Sequence, residues 1–305
     1  MPVRIVTDST CDLPPELVRD LGITVVPVYV RFGQESYRDG IDISREQFYK
    51  RLVNSPVHPT TSQPTPADFA QAYRELAKET DAIVSIHVAG KLSGTFNSAL
   101  QGKELAATKC AISVIDSASV SMGLGIITLA GARRASAGEN VQNITREVED
   151  AVASTQLLGL FDTLKYLLLG GRIGKAKALM GSLLNIKPLI LIHDGELNPV
   201  GNVRTRSKGI ERLYDFVKNA VGIQEVGVIN STTPDEARGL RDRFASLIDA
   251  SRLHLTGLTP ALGVHGGPGT LGVAIRKKLS FTQDDSKTPQ RRLPVHLPKL
   301  SLPHR

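Results

Sequence analysis

Short apolar runs alternate with amphipathic segments through the first half of the chain, and this alternation limits the possible folds more than any other feature. Strands are predicted at RIVTDST, ITVVPVYVRF, DAIVSIHV and CAISVID. Helices are predicted between and after them at LPPELVRDLG, SREQFYKRLV, PADFAQAYRELAKET, TFNSALQGKELAAT and SMGLGIITLAGARRASAG. Such alternation favours a mostly parallel sheet covered by helices. Ligands of such sheets bind on the loops that follow the carboxyl ends of the strands.

The pattern changes in the second half of the chain. A helix is expected at NITREVEDAVAST, with Asn143 or Thr145 as its N-cap. Strand candidates then follow one another closely, with a hairpin-like turn at Asp194-Gly195. They are QLLGLFD, KPLILIHDG, ELNPVGNVR, EVGVIN and LHLTGL, interrupted by the helices GIERLYDFVKNAVG and TPDEARGLRDRFASL. This order predicts a mixed sheet with helices on one face.

We therefore expect two α/β domains and a tail. The first, residues 1–145, has the parallel sheet, and the second, residues 146–275, has the mixed sheet. Residues 276–305 carry +6 of the net charge of +7 and contain four prolines between Pro289 and Pro303, so we expect this basic tail to be disordered. The nearly neutral remainder argues against a nucleic-acid binder. The basic charge of the tail is compatible with transient contact with an anionic membrane surface.

Other simple features indicate a cytoplasmic protein without a metal site. Cys11 and Cys110 are the only cysteines, too few for a disulfide scaffold or a cysteine-rich zinc site. The chain begins directly with a strand-like segment rather than a signal peptide. The uncharged stretch Ser117–Ala132 is too short to cross a membrane. The seven histidines lack metal-ligand spacing.

Hydroxyl groups are concentrated in two of the polar loops. In TSQPTPADF, Thr65 as N-cap and Asp68 as its capping-box partner account for the start of a helix. Thr61 and Ser62, just upstream, exceed what a turn needs, which favours a polar site, although Ser62 is explained equally well by the turn. Ser93, in AGKLSGTFNS, lies between a strand and a helix, where ligand contact and helix capping are equal alternatives.

Two further loops present groups that suit an anion. His265 lies among glycines in GVHGGPGT and is expected on a loop, where its imidazole can donate to a carboxylate. Arg172 follows Gly170 and Gly171 in GGRIGKA and can present a guanidinium to an anion; the alternative is a pair of capping glycines beside a solvated arginine. The spacing of GGRIGKA does not match a P-loop, and Ser93 does not lie in a G-x-S-x-G motif.

Taken together, these segments resemble the DegV family of bacterial fatty-acid-binding proteins. The matching segments occur in the family's order between residues 3 and 275. They are VTDSTCDLP, TTSQPTPADF, KLSGTFNSA, VIDSASVSMGLG, LKYLLLGGRIGKAKALMGSLLNIKP, DGEL, VRTRSKGI and VHGGPGTLGV. The tail departs from the family's usual ending.

The resemblance implies a two-domain DegV-like fold, with an amino-terminal three-layer α/β/α domain, and a non-catalytic role in lipid binding. One long-chain fatty acid such as hexadecanoate, the only bound group expected, lies in an apolar tunnel between the domains. Its carboxylate is held by Thr61 and Ser93, with His265 close by. Arg172 serves partner interaction or the phosphorylation step. The partner implied is the catalytic subunit of a fatty acid kinase, which makes an acyl phosphate for phospholipid synthesis.

A hydrolase is the main alternative from the residue types alone. Ser93, His265 and Asp8 include the groups of a serine nucleophile, a base and an orienting acid. The missing nucleophile-elbow spacing argues against it.

Overall fold

The computed structural model describes residues 2–179 and 186–279. Within these ranges the strands, in chain order, are β1 (Arg4–Asp8), β2 (Thr24–Val26), β3 (Tyr29–Phe32), β4 (Glu35–Arg38), β5 (Thr60–Ser62), β6 (Ala82–His87), β7 (Ala111–Asp116), β8 (Thr155–Leu160), β9 (Lys187–His193), β10 (Glu196–Val203), β11 (Ile223–Asn230), β12 (Leu253–Gly257) and β13 (Leu271–Lys277). The α-helices are α1 (Pro15–Asp20), α2 (Arg45–Asn54), α3 (Pro66–Leu76), α4 (Thr95–Ala106), α5 (Met122–Ser136), α6 (Val141–Ser154), α7 (Lys165–Leu169), α8 (Arg206–Lys218), α9 (Pro234–Phe244) and α10 (Pro260–Gly266).

The first sheet is parallel, as the alternating pattern predicts. Its strand order is β2-β1-β6-β7, and every neighbouring pair is parallel. Helices α3 and α4 cover one face, where Phe69, Tyr73 and Ala99 pack on Val6 and Ile83. Capping boxes begin two helices, at Ser44 with Gln47 and, as predicted, at Thr65 with Asp68. The α/β class is therefore confirmed for this part of the chain.

The second sheet is mixed, again as predicted. Its order is β10-β9-β8-β13-β11-β12, in which only the β11–β12 pair is parallel. Helices α8 and α9 pack on one face through Leu213, Val217 and Phe244. The turn from β9 to β10 has positive φ at both Asp194 and Gly195, as a two-residue hairpin turn of this sequence requires.

Helix α5 lies between the two sheets and is almost wholly buried. It contacts β1 and β6 of the parallel sheet and β8, β11 and β13 of the mixed sheet. Its glycines allow this close packing: a Cβ at Gly125 would lie 2.6 Å from the carbonyl oxygen of Cys11, and one at Gly131 would lie 2.7 Å from Val148. The largest hydrophobic core consequently joins residues of both sheets around one helix.

One predicted strand is wrong. The run ITVVPVYVRF forms two strands, because Pro27 lacks the N–H that a continuous ladder needs. Strand β2 joins the parallel sheet, whereas β3 joins a small antiparallel sheet of order β4-β3-β5. The hydroxyl-rich segment Thr60–Ser62, expected in a loop, is β5 of that sheet, with Thr61 opposite Val30.

Further details differ from the sequence predictions. Helix α6 is capped by Asn140, whose Oδ1 accepts a bond from the Asn143 amide, and Thr145 lies inside the helix. The predicted domain boundary near residue 145 thus falls within α6, and the domain limits stay a prediction. Strand β13 continues to Lys277, past the predicted start of the tail at residue 276. From residue 280 the tail lies outside the described residues.

Candidate ligand-binding site

A cavity lies between the two sheets, where the predicted loops meet. The space between its walls, including a part that is open to solvent, is about 1080 Å³. Most of its wall is apolar. The apolar lining residues are Val28, Val88, Leu92, Val120, Leu157, Phe161, Leu167, Ile192, Leu197, Ile229, Leu258, Ala261 and Leu262.

Two of the predicted site residues meet directly at the polar part of the cavity. Thr61 Oγ1 and His265 Nε2 are 3.0 Å apart, and both residues line the cavity. Thr61 comes from β5, and His265 comes from the last turn of α10 rather than from the loop that was expected. The prediction that His265 lies on a loop is wrong because Pro260 begins a short helix that runs through the glycines to Gly266.

Helix α10 is fixed at its beginning by two buried carboxylates from the first part of the chain. Asp12 Oδ1 accepts a bond from the Thr259 amide at 2.8 Å, and Asp39 Oδ1 accepts one from the Ala261 amide at 3.0 Å. Burial raises the pKa of Asp12 to about 7 and that of Asp39 to about 6. These bonds satisfy helix amides that have no partner inside the helix, and they set the position of His265.

His265 is a neutral imidazole at neutral pH. Burial, followed by the positive charge of Arg172 and by His58, lowers its pKa to about 4. Its Nδ1 is buried and has no hydrogen-bond partner in the described part of the chain. Because an unpaired N–H is rarer than an unpaired acceptor, this favours the tautomer with hydrogen on Nε2. The Nε2–H group then donates to Thr61 Oγ1, and the Thr61 hydroxyl keeps its own hydrogen for a ligand.

Gly170 makes room for the imidazole. A Cβ at this position would lie 2.2 Å from His265 Nδ1, so no larger residue fits without moving the ring. Gly170 is also the C-cap of α7, and Gly171 follows with a φ of +69°. The sequence pattern identified the capping pair but gave no sign of the contact with His265, which lies 95 residues further along the chain.

Ser93 lies beside both the beginning of α4 and the cavity. Gly94, not Ser93, is the N-cap of α4; the Ser93 Oγ accepts a bond from the Thr95 amide at 3.3 Å, and the residue lines the cavity, so its contact with a ligand stays a prediction. The amino-terminal end of α4, with its partial positive charge, therefore lies beside the cavity. Gln63, which the sequence analysis did not single out, lies over Gly94: a Cβ there would be 2.5 Å from the Gln63 amide group. This contact joins the Thr61 segment to the Ser93 turn.

Ser62 and Arg172 complete the polar part. The Ser62 hydroxyl makes a long bond of 3.4 Å to the Gln63 carbonyl oxygen, and the residue lines the cavity. Arg172 is exposed and donates to two backbone carbonyls, those of Leu92 and Gly170. Its guanidinium is thus held at the edge of the cavity by neutral acceptors. All five predicted site residues line one cavity.

The groups of the hydrolase alternative do not form a triad. Asp8 is buried away from the cavity and binds His87 Nδ1 at 3.1 Å and the Val88 amide at 3.0 Å. Ser93 bonds to Thr95, and His265 bonds to Thr61. A Ser–His–Asp chain does exist at Ser85, His87 and Asp8, but all three residues are fully buried, which suits a structural role. Within the described part of the chain, no arrangement of these groups favours a hydrolase.

The described residues contain neither a metal-binding cluster nor a helix suited to cross a membrane. No group of three or more His, Cys, Asp or Glu side chains there is placed to hold a metal ion. Among the described helices, none combines the length and the apolar character that crossing a membrane requires.

The fold and the cavity define a class: an α/β protein with one parallel and one mixed sheet, which enclose an apolar cavity with hydroxyl and imidazole groups at one side. The model of a family described as "Uncharacterised protein, DegV family COG1307" matches residues 2–278. The chain belongs to the DegV family.

Relatives and solved structures agree with this assignment. A DegV domain-containing protein of Deinococcus radiodurans is 38% identical over 281 residues, which cover 90% of this chain and 98% of the relative. A DegV family protein from Thermus thermophilus, described as fatty acid binding, has 33% identity and a TM-score of 0.82, and covers 91% of this chain and 100% of its own. A stearic acid-binding protein from Eubacterium ventriosum has 26% identity and a TM-score of 0.82, with 90% and 98% covered.

Proposed function

We propose that this protein binds one long-chain fatty acid in the cavity between its sheets. The observation that carries the proposal is the Thr61–His265 pair at the polar side of a cavity whose wall is otherwise mostly apolar. Each methylene moved from water into such a wall contributes about 0.8 kcal/mol. The similar proteins from Thermus thermophilus and Eubacterium ventriosum, which are described as binding a fatty acid and stearic acid, support the choice of ligand.

The carboxylate would lie among Thr61, Ser93 and Ser62, with His265 behind Thr61. Hydroxyl groups donate to a carboxylate without bringing a second charge into the cavity. The amino-terminal end of α4 adds a favourable partial charge on the Ser93 side. Arg172 lines the cavity at its solvent edge and places a full positive charge near this end of the ligand. This arrangement leaves the carboxylate end of the ligand close to the protein surface.

Binding is tested by extracting lipid from the purified protein and by titrating delipidated protein with hexadecanoate. We expect an intact fatty acid in the extract. Thr61→Val keeps the shape of the side chain but removes the hydroxyl, and should weaken binding by about tenfold to a hundredfold, the usual value of a hydrogen bond to a charged group. Ser93→Ala should act in the same direction.

Thr60→Val is the matched control, because Thr60 is the exposed neighbour on the same strand and does not line the cavity. It should bind as the wild type does. A protein that purifies without lipid and takes up no fatty acid would disprove the proposal. Unchanged binding by both Thr61→Val and Ser93→Ala would disprove the assignment of the carboxylate site.

We further propose that the bound acid is presented to the catalytic subunit of a fatty acid kinase. The exposed guanidinium of Arg172 beside the carboxylate end supports this, because a second protein would have to reach that end from solvent. The test mixes loaded protein, a purified kinase subunit and Mg-ATP with hydroxylamine, which converts an acyl phosphate to a hydroxamate. Hydroxamate should form only with both proteins present. Its formation without the kinase subunit, or its absence with both, would contradict the carrier role.

A further inference from the structure

Two glycines face each other across neighbouring strands in the middle of the mixed sheet. Gly159 of β8 pairs with Gly272 of β13, and both line the cavity. Continuing the same row outward, Gly159 pairs with Ile190 of β9, and Gly272 pairs with Ile229 of β11. Residues directly opposite each other in an antiparallel pair point to the same face of a sheet. The row therefore reads Ile–Gly–Gly–Ile on the face that borders the cavity.

This row has a recess at its centre. Strands lie about 4.8 Å apart, so the backbones of Ile190 and Ile229 are separated by roughly 14 Å, and between them the sheet has no side chains on this face. At Gly272 the three nearest atoms to a would-be Cβ belong to the sheet itself: the Leu158 carbonyl oxygen, Gly159 Cα and Ile229 Cδ1, at 3.3 to 3.8 Å. At Gly159 the ring of Phe161 partly covers the space, 2.8 Å from a would-be Cβ.

Neither a bulge nor a positive φ explains the glycine pair. Glycine inside a strand is unfavourable unless it permits a bulge, a bend or the close approach of another group. The β8–β13 register runs from Leu271 to Arg276 without a shift, so there is no bulge at this place. Neither glycine has the positive φ that would require it. What remains is close approach from the cavity side: the Phe161 ring approaches Gly159, and the space at Gly272 is open to the cavity.

We propose that the Gly159–Gly272 recess admits the bend of a cis-unsaturated acyl chain, an inference that rests on the proposed binding of a fatty acid. A straight saturated chain needs only a tube of constant width and would leave the recess empty, and an empty apolar space loses the contacts of its walls. A cis double bond displaces one half of the chain sideways. The recess provides sideways room between Ile190 and Ile229, and a bent chain fills it.

The test compares three acids of equal length: oleate, which is bent, and elaidate and stearate, which are straight. Gly272→Ala adds one methyl group to the recess and requires only a small adjustment of the Leu158 carbonyl. Oleate affinity should fall about tenfold or more relative to that for stearate, as expected when a methyl group is forced into a filled site. The affinity for elaidate should change in the same way as that for stearate, because the bend of the chain, and not the double bond itself, determines whether it enters the recess.

Gly239→Ala is the control, because Gly239 lies on the exposed side of α9 with no atom within 4 Å of its would-be Cβ. It should keep the wild-type affinity for all three acids. An equal loss of all three acids in Gly272→Ala, or no loss of any, would overturn the inference. A wild-type protein that binds none of the acids would instead overturn the proposed function.

A second variant covers the case in which Gly272→Ala does not fold. Phe161→Leu shortens the side chain that covers Gly159 and enlarges the recess from the other side. The ratio of oleate to stearate affinity should then rise at least threefold over the wild type. A ratio that stays constant or falls would count against the recess as the place of the bend.

Discussion

At the scale of single residues, the bond between Thr61 and His265 determines which hydrogen is available to a ligand. Because burial keeps His265 neutral, the imidazole has one N–H group, and the unpartnered Nδ1 favours placing it on Nε2. The Thr61 hydroxyl accepts that hydrogen and donates its own into the cavity. In the proposed complex, His265 would therefore act on the carboxylate through Thr61, as a positioning residue.

Gly170→Ala tests this arrangement at a residue that does not itself line the cavity. The added methyl would lie 2.2 Å from His265 Nδ1 and must displace the ring, which breaks the bond to Thr61. We expect fatty-acid affinity to fall about tenfold, measured by titration of delipidated protein. His265→Ala should cause a similar loss, and the double variant should be no worse than either single one.

Losses that add in the double variant would show that Gly170 acts independently of His265. Wild-type affinity in Gly170→Ala would show that the ring position is unimportant. Thermal unfolding of each variant separates a local change from a loss of fold.

The sequence identified most of these residues but not how they pair. Surplus hydroxyl groups mark the segment that contains Thr61, and the position between a strand and a helix marks Ser93, but the resemblance to the DegV family is what selects both as carboxylate ligands. The pairing of Thr61 with His265 joins positions 204 residues apart, and no local pattern encodes such a contact. The role of Gly170 is steric and depends on a neighbour that only the fold supplies.

At the scale of elements, helix α10 depends on carboxylates that come from the other part of the chain. Asp12 and Asp39 both bind amides at its beginning, and both are buried. Burial raises their pKa values, since the charged forms lose hydration that the helix amides and hydroxyl groups only partly replace. Ionisation of either group therefore opposes folding near neutral pH.

Asp12→Asn should show this effect as a change in the pH dependence of stability. The folded pKa of Asp12, about 7, lies above its unfolded value near 4, so its contribution to stability is present below about pH 4 and is lost as the pH rises through 7. Asparagine does not titrate in this range. The melting temperature of Asp12→Asn minus that of the wild type should therefore be more positive at pH 8 than at pH 5.

A parallel comparison with Asp249→Asn controls for general pH effects, because Asp249 is exposed and its hydrogen bonds to Ser251 hold its pKa below the ordinary value. The difference in melting temperature between Asp249→Asn and the wild type should not grow as the pH rises above 5. A constant or opposite difference for Asp12→Asn would contradict the raised pKa.

Most elements with strong local signals were predicted correctly, and those without them were not. The helices with capping boxes and the long apolar strands β6, β7, β9 and β11 have their signals within ten residues of sequence. Strand β5 has three residues and exists only because β3 pairs with it, while α10 is short and rich in glycine. Such elements depend on tertiary contacts, which override weak local preferences.

At the scale of the whole molecule, the two sheets share one core through α5. The helix packs on both sheets, and the main hydrophobic cluster includes side chains from each of them. An ion cluster continues this connection: Arg133 of α5 binds Glu225 of β11 at 2.7 Å, and His254 of β12 binds the same carboxylate at 2.6 Å. Burial acts to raise the pKa of Glu225, but the bonds from His254 and Arg133 outweigh it and hold the pKa below its ordinary value.

This shared core predicts a single cooperative unfolding transition, and the ion cluster gives the means to test it. Arg133→Met leaves the Glu225 carboxylate, 1% exposed, with His254 alone. Removing one partner of a fully buried pair costs about 3–5 kcal/mol, and because Arg133 is itself 35% exposed we expect a smaller loss, roughly 1–3 kcal/mol. Arg134→Met, at the next position of the same helix, breaks only surface pairs with Glu139 and Glu147 and should cost less than about 1 kcal/mol. In both variants the far-ultraviolet and near-ultraviolet circular dichroism signals should change at the same denaturant concentration. Two separate transitions would contradict a core that spans both sheets. Equal losses of stability in the two variants would contradict the stabilising role of the buried Arg133–Glu225 pair.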